Sequence, residues 1–221
     1  MSGHSHFAES IEEYLEAVYR LEREGPGVTT SGLASALGVA PASVSGMLKK
    51  LGKDGFVEHV ARGEVALTRK GLEVAVRVLR RHRIAECFLT DILGMPWDEV
   101  HEEACMLEHA ISDRVEAQLM KLLKDPKTCP HGQPIPPKDL SDPQRLGEPL
   151  AQVSDGARVR VVSVTEELPE MLRYLGEIGI RPGVDLHIAH KAPLGGPITI
   201  EIDGTRHAIS LELAGMIAVK A

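Results

Sequence analysis

Aromatic residues are scarce in this chain, only 3% of 221 residues against a hydrophobic share of 43%. Any core must therefore be packed from aliphatic side chains. Long apolar runs are missing as well. None approaches the roughly 18 residues that a membrane-spanning helix requires, and Met1-Ser2-Gly3-His4-Ser5-His6 lacks the basic-then-apolar pattern of a secretory signal. These absences point to a cytoplasmic protein of two or three small domains with no membrane partner. Three cysteines, Cys87, Cys105 and Cys129, form no disulfide framework. Catalytic signatures are absent too. His101-Glu102-Glu103-Ala104-Cys105 lacks the second histidine of a zinc-protease helix, and there is no P-loop or GxSxG elbow, so an enzyme is not expected.

What is present begins with charge. The formal net charge of −7 argues at first against nucleic acid. Yet Arg62, Arg69, Lys70, Arg77, Arg80, Arg81 and Arg83 form a basic band with only Glu64 and Glu73 among them, while Glu9–Glu24 and Asp98–Glu116 are acidic. Such a distribution suits phosphate at one place and a cation at another. A merely solvated helix surface would carry the same charges.

Periodicity divides the chain. Ile11, Tyr14, Leu15, Val18 and Tyr19 recur at helical steps from about Glu9 to Glu24. Two short helices follow, the first opened by Thr29-Thr30-Ser31, the second by Pro41-Ala42-Ser43, with Gly38 between them. Val57–Val60 and Val65–Leu67 read as a two-stranded wing, and Thr68 caps a long helix from about Arg69 to Leu93. Further helix is expected from about Asp98, restarting at Ser112-Asp113. Seven prolines between Asp125 and Pro149 predict an irregular, linker-like stretch. After Leu150, alternation at 158–162, 185–188 and 198–202, a turn at Asp203-Gly204 and a short helix near 170–176 predict a small β-barrel.

Two short helices with a wing behind them form a helix-turn-helix, whose second helix would meet base edges in the major groove. The residues so placed are Ala40, Pro41, Ala42, Ser43, Ser45 and Gly46, all small and uncharged, with Thr30, Lys49, Lys50 and Arg62 as further contacts. Sparse base readout, phosphate contacts and DNA shape would then carry recognition. A sharper signal is His101-x3-Cys105-x2-Glu108-His109, which puts four ligand-type side chains along one helical face. His82 and Glu86 form a second such pair one turn apart. Imidazole and carboxylate with a single thiol suit divalent first-row metals and not thiol-rich structural zinc. Taken singly, each pair also fits a surface ion pair. Cys129-Pro130-His131-Gly132 invites a metal reading as well, although a Pro-bounded connecting loop accounts for it without one.

With Glu13-Tyr14-Leu15-Glu16, Arg81-His82-Arg83-Ile84-Ala85-Glu86, Val100 to His109 and Cys129 to Pro136 in this order, the sequence resembles the diphtheria toxin repressor family of iron- and manganese-dependent regulators. Leu172 to Gly183 looks like the FeoA type of C-terminal domain. The resemblance implies a mainly α fold with β: a winged helix-turn-helix over 1–73, a helical metal-binding and dimerisation domain over 74–143, a linker at 144–149 and an SH3-like barrel over 150–221. It implies Mn2+ or Fe2+ at up to two sites per subunit. One site would use Glu13, with Glu16 as a possible addition, together with Cys105, Glu108 and His109. The other would use His82, Glu86 and His101, with Glu167 and Glu170 from the barrel. Glu13 stands where iron-responsive members carry methionine, and Gly46 where they carry glutamine. The implied function is a homodimeric repressor of metal-uptake genes on a palindromic operator in double-stranded DNA. A metal-storage protein or metalloenzyme with the same helical ligands, and a metal-independent DNA-binding protein, are the alternatives.

Overall fold

The computed structural model describes residues 3–25, 27–59, 63–141, 147–165 and 168–221. The chain divides into two compact units, one of residues 1–81 with 136–142, the other of 82–135 with 143–221.

The first unit opens with α1 (Gly3–Glu24), a turn earlier than its periodicity predicts. Leu15 and Val18 on its inner face are fully buried. α2 (Thr30–Leu37) starts where the Thr29 hydroxyl accepts from the Gly32 amide and ends at Gly38, which adopts the left-handed conformation with φ 63°. α3 (Pro41–Lys53) begins with proline at its first position, where no amide hydrogen is needed. The two helices meet at 112°, within the range of a helix-turn-helix. Val44, Leu48 and Leu51 turn inward from α3 onto Leu15, Val18 and Leu33. The wing pairs β1 (Val57–His59) with β2 (Val65–Leu67). It is tied to α1 because the Leu67 amide donates to Glu22 Oε1 at 2.9 Å. The Thr68 hydroxyl accepts from the Gly71 amide at the start of α4 (Arg69–Asp91), and the boundary between the units falls within this helix.

In the second unit, α5 (Val100–Glu108) and α6 (Asp113–Leu122) follow α4, and the Ser112 side chain caps α6. The C-terminal domain is a six-stranded antiparallel sheet of order β3-β8-β4-β5-β6-β7: β3 (Glu148–Pro149), β4 (Arg158–Val164), β5 (Asp185–Lys191), β6 (Ile198–Ile202), β7 (Thr205–Ile209) and β8 (Ile217–Lys220). Bulges at Val161/Ser163 and Ile188/His190 help it coil. Ile198, Ile200 and Ile202 alternate inward with Val159, Val161, Leu186 and Ile188, and α7 (Pro169–Glu177) covers them with Leu172 and Leu175. The Asp203-Gly204 turn closes the expected hairpin, with Ile202 opposite Thr205. α8 (Leu211–Gly215) lies between β7 and β8.

The proline-rich stretch departs from expectation. Residues 127–135 form a tight turn with Cys129 N to Gln133 O at 2.9 Å and Ile135 N to Lys127 O at 2.8 Å. Cys129 and Ile135 are buried against Ile84 and Cys87 of α4. Gly132, at φ 81°, packs so closely that a Cβ there would lie 2.0 Å from the Val162 carbonyl oxygen.

Candidate metal centre

Helical spacing sets the first half of this centre. His82 and Glu86 face inward from α4, and both are essentially unexposed. His82 Nδ1 lies 2.6 Å from Glu108 Oε2 on α5, and its Nε2 lies 3.1 Å from Glu86 Oε1. An ionised carboxylate can only accept, so the imidazole between two of them carries both protons. Burial alone would favour its neutral form, but hydrogen bonds with Cys105, Glu108 and Glu86 hold its pKa well above the usual histidine range. His101 adds a third contact, with Nδ1 3.8 Å from Glu86 Oε1. The structure thus brings His82, Glu86 and His101 together, of which spacing alone paired only the first two.

Beyond them lies a group that helical spacing cannot reveal. His131 is fully buried, and its Nδ1 lies 3.2 Å from Glu86 Oε1. Its Nε2 donates to the Trp97 carbonyl oxygen at 2.7 Å. Glu86, Cys129 and His131 each offer a donor atom, and those atoms lie within 4.8 Å of one another. Glu86 Oε2 is buried with no hydrogen-bond partner among the described residues, which costs more for a charged group than the ~1–3 kcal/mol of a neutral one. The Glu86 carboxyl is nonetheless held well below the ordinary carboxylate range. Burial opposes ionisation there, and hydrogen bonds from His101, His131 and His82 outweigh it. One carboxylate oxygen, one imidazole nitrogen and one sulfur, all buried and within reach of one another, fit a divalent first-row cation.

The outer face is more open. Cys105 is exposed, and its sulfur lies 3.8 Å from His101 Nε2 and 3.9 Å from His82 Nδ1. Partial burial works against its ionisation, but these two histidines hold the thiol below its ordinary pKa. His82, His101 and Cys105 form a second donor group within 4.8 Å. Glu108 is buried, and His109 Nε2 lies 3.3 Å from Glu108 Oε1. Glu13 and Glu16 sit on α1 in the other unit. Glu13 is exposed, whereas Glu16 is buried and bound by Arg20 at 2.8 Å. Glu170 is exposed on the first turn of α7 and is in neither donor group, and Glu167 lies outside the described residues.

On α3, Pro41, Ala42, Ser43, Ser45, Gly46 and Lys49 are exposed, as is Ala40 before it, and Lys50 and Thr30 are half-buried. Thr30, Ser45 and Lys49 line one groove of about 520 Å3. The Ser45 hydroxyl already donates to the Pro41 carbonyl at 3.0 Å. Arg62 lies outside the described residues. Much of the basic band has partners within the chain. Arg69 pairs with Glu73, Arg77 with Glu12, and Lys70 donates to the Asp54 carbonyl. Arg80 and Arg83 hold the carbonyls of Pro136 and Pro134.

Sequence reasoning set Cys129 and His131 aside as a connecting loop. The available signal was a cysteine and a histidine two residues apart, followed by a glycine, in a proline-bounded turn.

Known proteins resemble this chain along nearly its whole length. The family model described as "Iron dependent repressor, N-terminal DNA binding domain" matches residues 6–65. "Iron dependent repressor, metal binding and dimerisation domain" matches 68–137, and "FeoA domain" matches 148–221. The iron-dependent repressor IdeR of Mycobacterium tuberculosis is 34% identical over 209 residues, covering 89% of this chain and 90% of its own. The diphtheria toxin repressor of Corynebacterium diphtheriae is 32% identical over 225 residues, covering 96% and 97%. Among solved structures, a manganese-dependent transcriptional repressor in complex with manganese has a TM-score of 0.88 at 35% identity, covering 96% of this chain and 99% of that one. The manganese regulator SloR has a TM-score of 0.80 at 30% identity, covering 95% and 97%. The chain belongs to the iron-dependent repressor family of metal-dependent, DNA-binding transcriptional regulators.

Proposed function

We propose that this chain is a cytoplasmic, homodimeric repressor of metal-uptake genes that grips a palindromic operator when Mn2+ or Fe2+ is bound. The observation that carries the reading is the pairing of a winged helix with His82, Glu86, His101, Cys105, Glu108 and His109 on two adjacent helices. Two centres follow from the donors. An open centre would use Cys105, Glu108 and His109 with Glu13, and Glu16 as a possible addition. Bound there, an ion would join the DNA-binding unit to the dimerisation segment and fix the spacing of two recognition helices across a two-fold axis. A closed centre would use Glu86, Cys129 and His131, with His82 and His101 beside them and Glu167 or Glu170 as a further oxygen donor. Carboxylates with a single thiol suit either ion. Exposed Ile92, Leu93, Met106, Leu107, Val115 and Leu122, all in the helical segment, supply the apolar surface that a second copy would cover.

Fluorescence anisotropy on a metal-transport promoter tests this, with chelator, Mn2+ and Fe2+ titrated separately under anaerobic conditions. The expected result is binding that needs metal and weakens about 5- to 150-fold in His109→Ala, the usual span of allosteric coupling. Equal binding with chelator would refute metal control and favour a metal-independent DNA-binding protein. Metal uptake without binding to any candidate promoter would favour the storage or enzyme alternatives.

A further inference from the structure

We propose that Trp97 and Arg181 are positioning residues for His131, so that the C-terminal sheet domain sets the metal affinity of the closed centre from behind the ligand. The inference rests on the reading of Glu86, Cys129 and His131 as a metal centre.

A carbonyl oxygen only accepts, so the 2.7 Å contact from His131 Nε2 to the Trp97 carbonyl places the ring hydrogen on Nε2. That leaves Nδ1 turned toward Glu86 Oε1, 3.2 Å away, and Cys129 Sγ, 3.9 Å away, and an ion entering between these groups would displace the hydrogen that Nδ1 gives to the carboxylate, leaving a neutral ring protonated on Nε2 alone. That tautomer is the one that can donate to an ion between these groups. A histidine ligand held by a carbonyl at its far nitrogen is also fixed in orientation, which raises affinity.

The Trp97 carbonyl belongs to the turn between α4 and α5, where no helical ladder holds it. Its own side chain does so. Trp97 is 4% exposed and packs in the core of the sheet domain. The Arg181 guanidinium carbon lies 4.5 Å from the centre of its ring. Gly176 on α7 leaves room for the indole, since a Cβ there would lie 3.3 Å from Nε1 and 3.0 Å from Arg181 Nη2. One residue along, Asp98 receives Arg173 of α7 at 3.3 Å. The sheet domain also grips the other side of the histidine. The Val164 amide donates to the His131 carbonyl at 2.9 Å, and Gln133 Nε2 donates to the Val164 carbonyl at 2.6 Å. His131 is thus held by the sheet domain directly at its carbonyl, and at Nε2 through a backbone carbonyl whose own side chain is packed in that domain.

The test uses the full chain with Cys105→Ser, so that a thiolate-to-cobalt absorption band reports Cys129 and not the open centre. Co2+ is titrated into this parent and into Gly176→Val, Arg181→Ala and Arg181→Lys, at a temperature where circular dichroism shows each folded. Gly176→Val is expected to weaken Co2+ binding roughly 10- to 100-fold, as for other groups that orient a ligand. Arg181→Ala should weaken it about 3- to 5-fold, the scale of an exposed cation–π contact, and Arg181→Lys should recover most of that loss. Trp97 is the single tryptophan of the chain, so quenching of its emission gives a second reading of the same titration. A purely structural role would lower thermal stability and leave the affinity of the folded protein unchanged, and that result overturns the proposal. Arg181 is exposed, so its variants carry the test if Gly176→Val does not fold. A parent with no thiolate band at all would instead refute the closed centre, a failure distinct from that of the positioning argument.

Discussion

The two donor sets of the helical segment differ in who supplies their surroundings. Around Glu86 and His131 nearly everything is enclosed, three imidazoles crowd one carboxylate oxygen, and one sheet domain holds the histidine from behind. Around Cys105 and His109 the thiol is exposed and the histidine ends its helix. Enclosure makes the first set rigid and gives every error a high cost, because a buried polar group without a partner is expensive. Exposure makes the second set tolerant and leaves it able to accept donors from elsewhere. A sensor needs the second property where it couples to DNA, and the first where it needs a dependable frame.

The comparison can be broken most forcefully at Glu86. Glu86→Ala would take from His82 and His131 the buried carboxylate they share, a loss of about 3–5 kcal/mol for a broken buried pair. The melting temperature should fall on the order of 10 °C, and the bound Mn2+ should drop by one per subunit. Calorimetry with metal analysis checks both, and unchanged stoichiometry would remove the closed centre from the account. Serine at the two cysteines sharpens the contrast. Cys129→Ser puts a hydroxyl into a buried site packed by Ile84 and Ile135 on one side and His131 on the other, and should cost about 1–3 kcal/mol, whereas Cys105→Ser at the surface should change stability by no more than about 0.5 kcal/mol. Urea titration distinguishes them, and equal costs would mean that the two thiols share one environment.

The smallest effect is the dependence on pH. His82 is held above its ordinary value, so its contribution to stability is complete below about pH 6.5 and is lost as pH rises through the raised folded value. Glu86 is held below its ordinary 4.5, so its contribution is present above that pH and lost as pH falls through the lowered folded value. Chelator-treated protein should therefore melt highest between these limits, by a few degrees. Added Mn2+ should reverse the alkaline limb, because a ligand proton on His82 competes with the ion. A melting temperature that rises steadily with pH in chelator would contradict the charged bridge between Glu86 and Glu108.

Much of this was legible in the residues. Thr29, Gly38 and Pro41 announce the ends of two helices through local chemistry alone, and the i, i+4 steps of His82–Glu86 and His101–Cys105 place those side chains on one face before any tertiary contact is known. Cys129 and His131 were not legible as part of the centre. They meet Glu86 only because the turn at 127–135 packs against α4 and β4, and no periodicity encodes a contact across more than forty residues. The partners of the α4 arginines were hidden for a related reason. Charge counts the groups but not their partners, and Arg80 and Arg83 are engaged by proline carbonyls more than fifty positions away. The extent of β7 was hard to read because only Ile209 of its five residues is buried, and β8 because Ile217-Ala218-Val219 is a short apolar run with no polar alternation.

Complete burial of His131 also has a meaning in time. An ion seated among fully enclosed donors cannot leave along the surface, and its departure waits for the turn at 127–135 to open, a local unfolding event held back by Gly132 and the Val164 contacts. The exposed thiol side imposes no such delay. One centre would then follow the metal supply of the moment while the other keeps a record of its recent past.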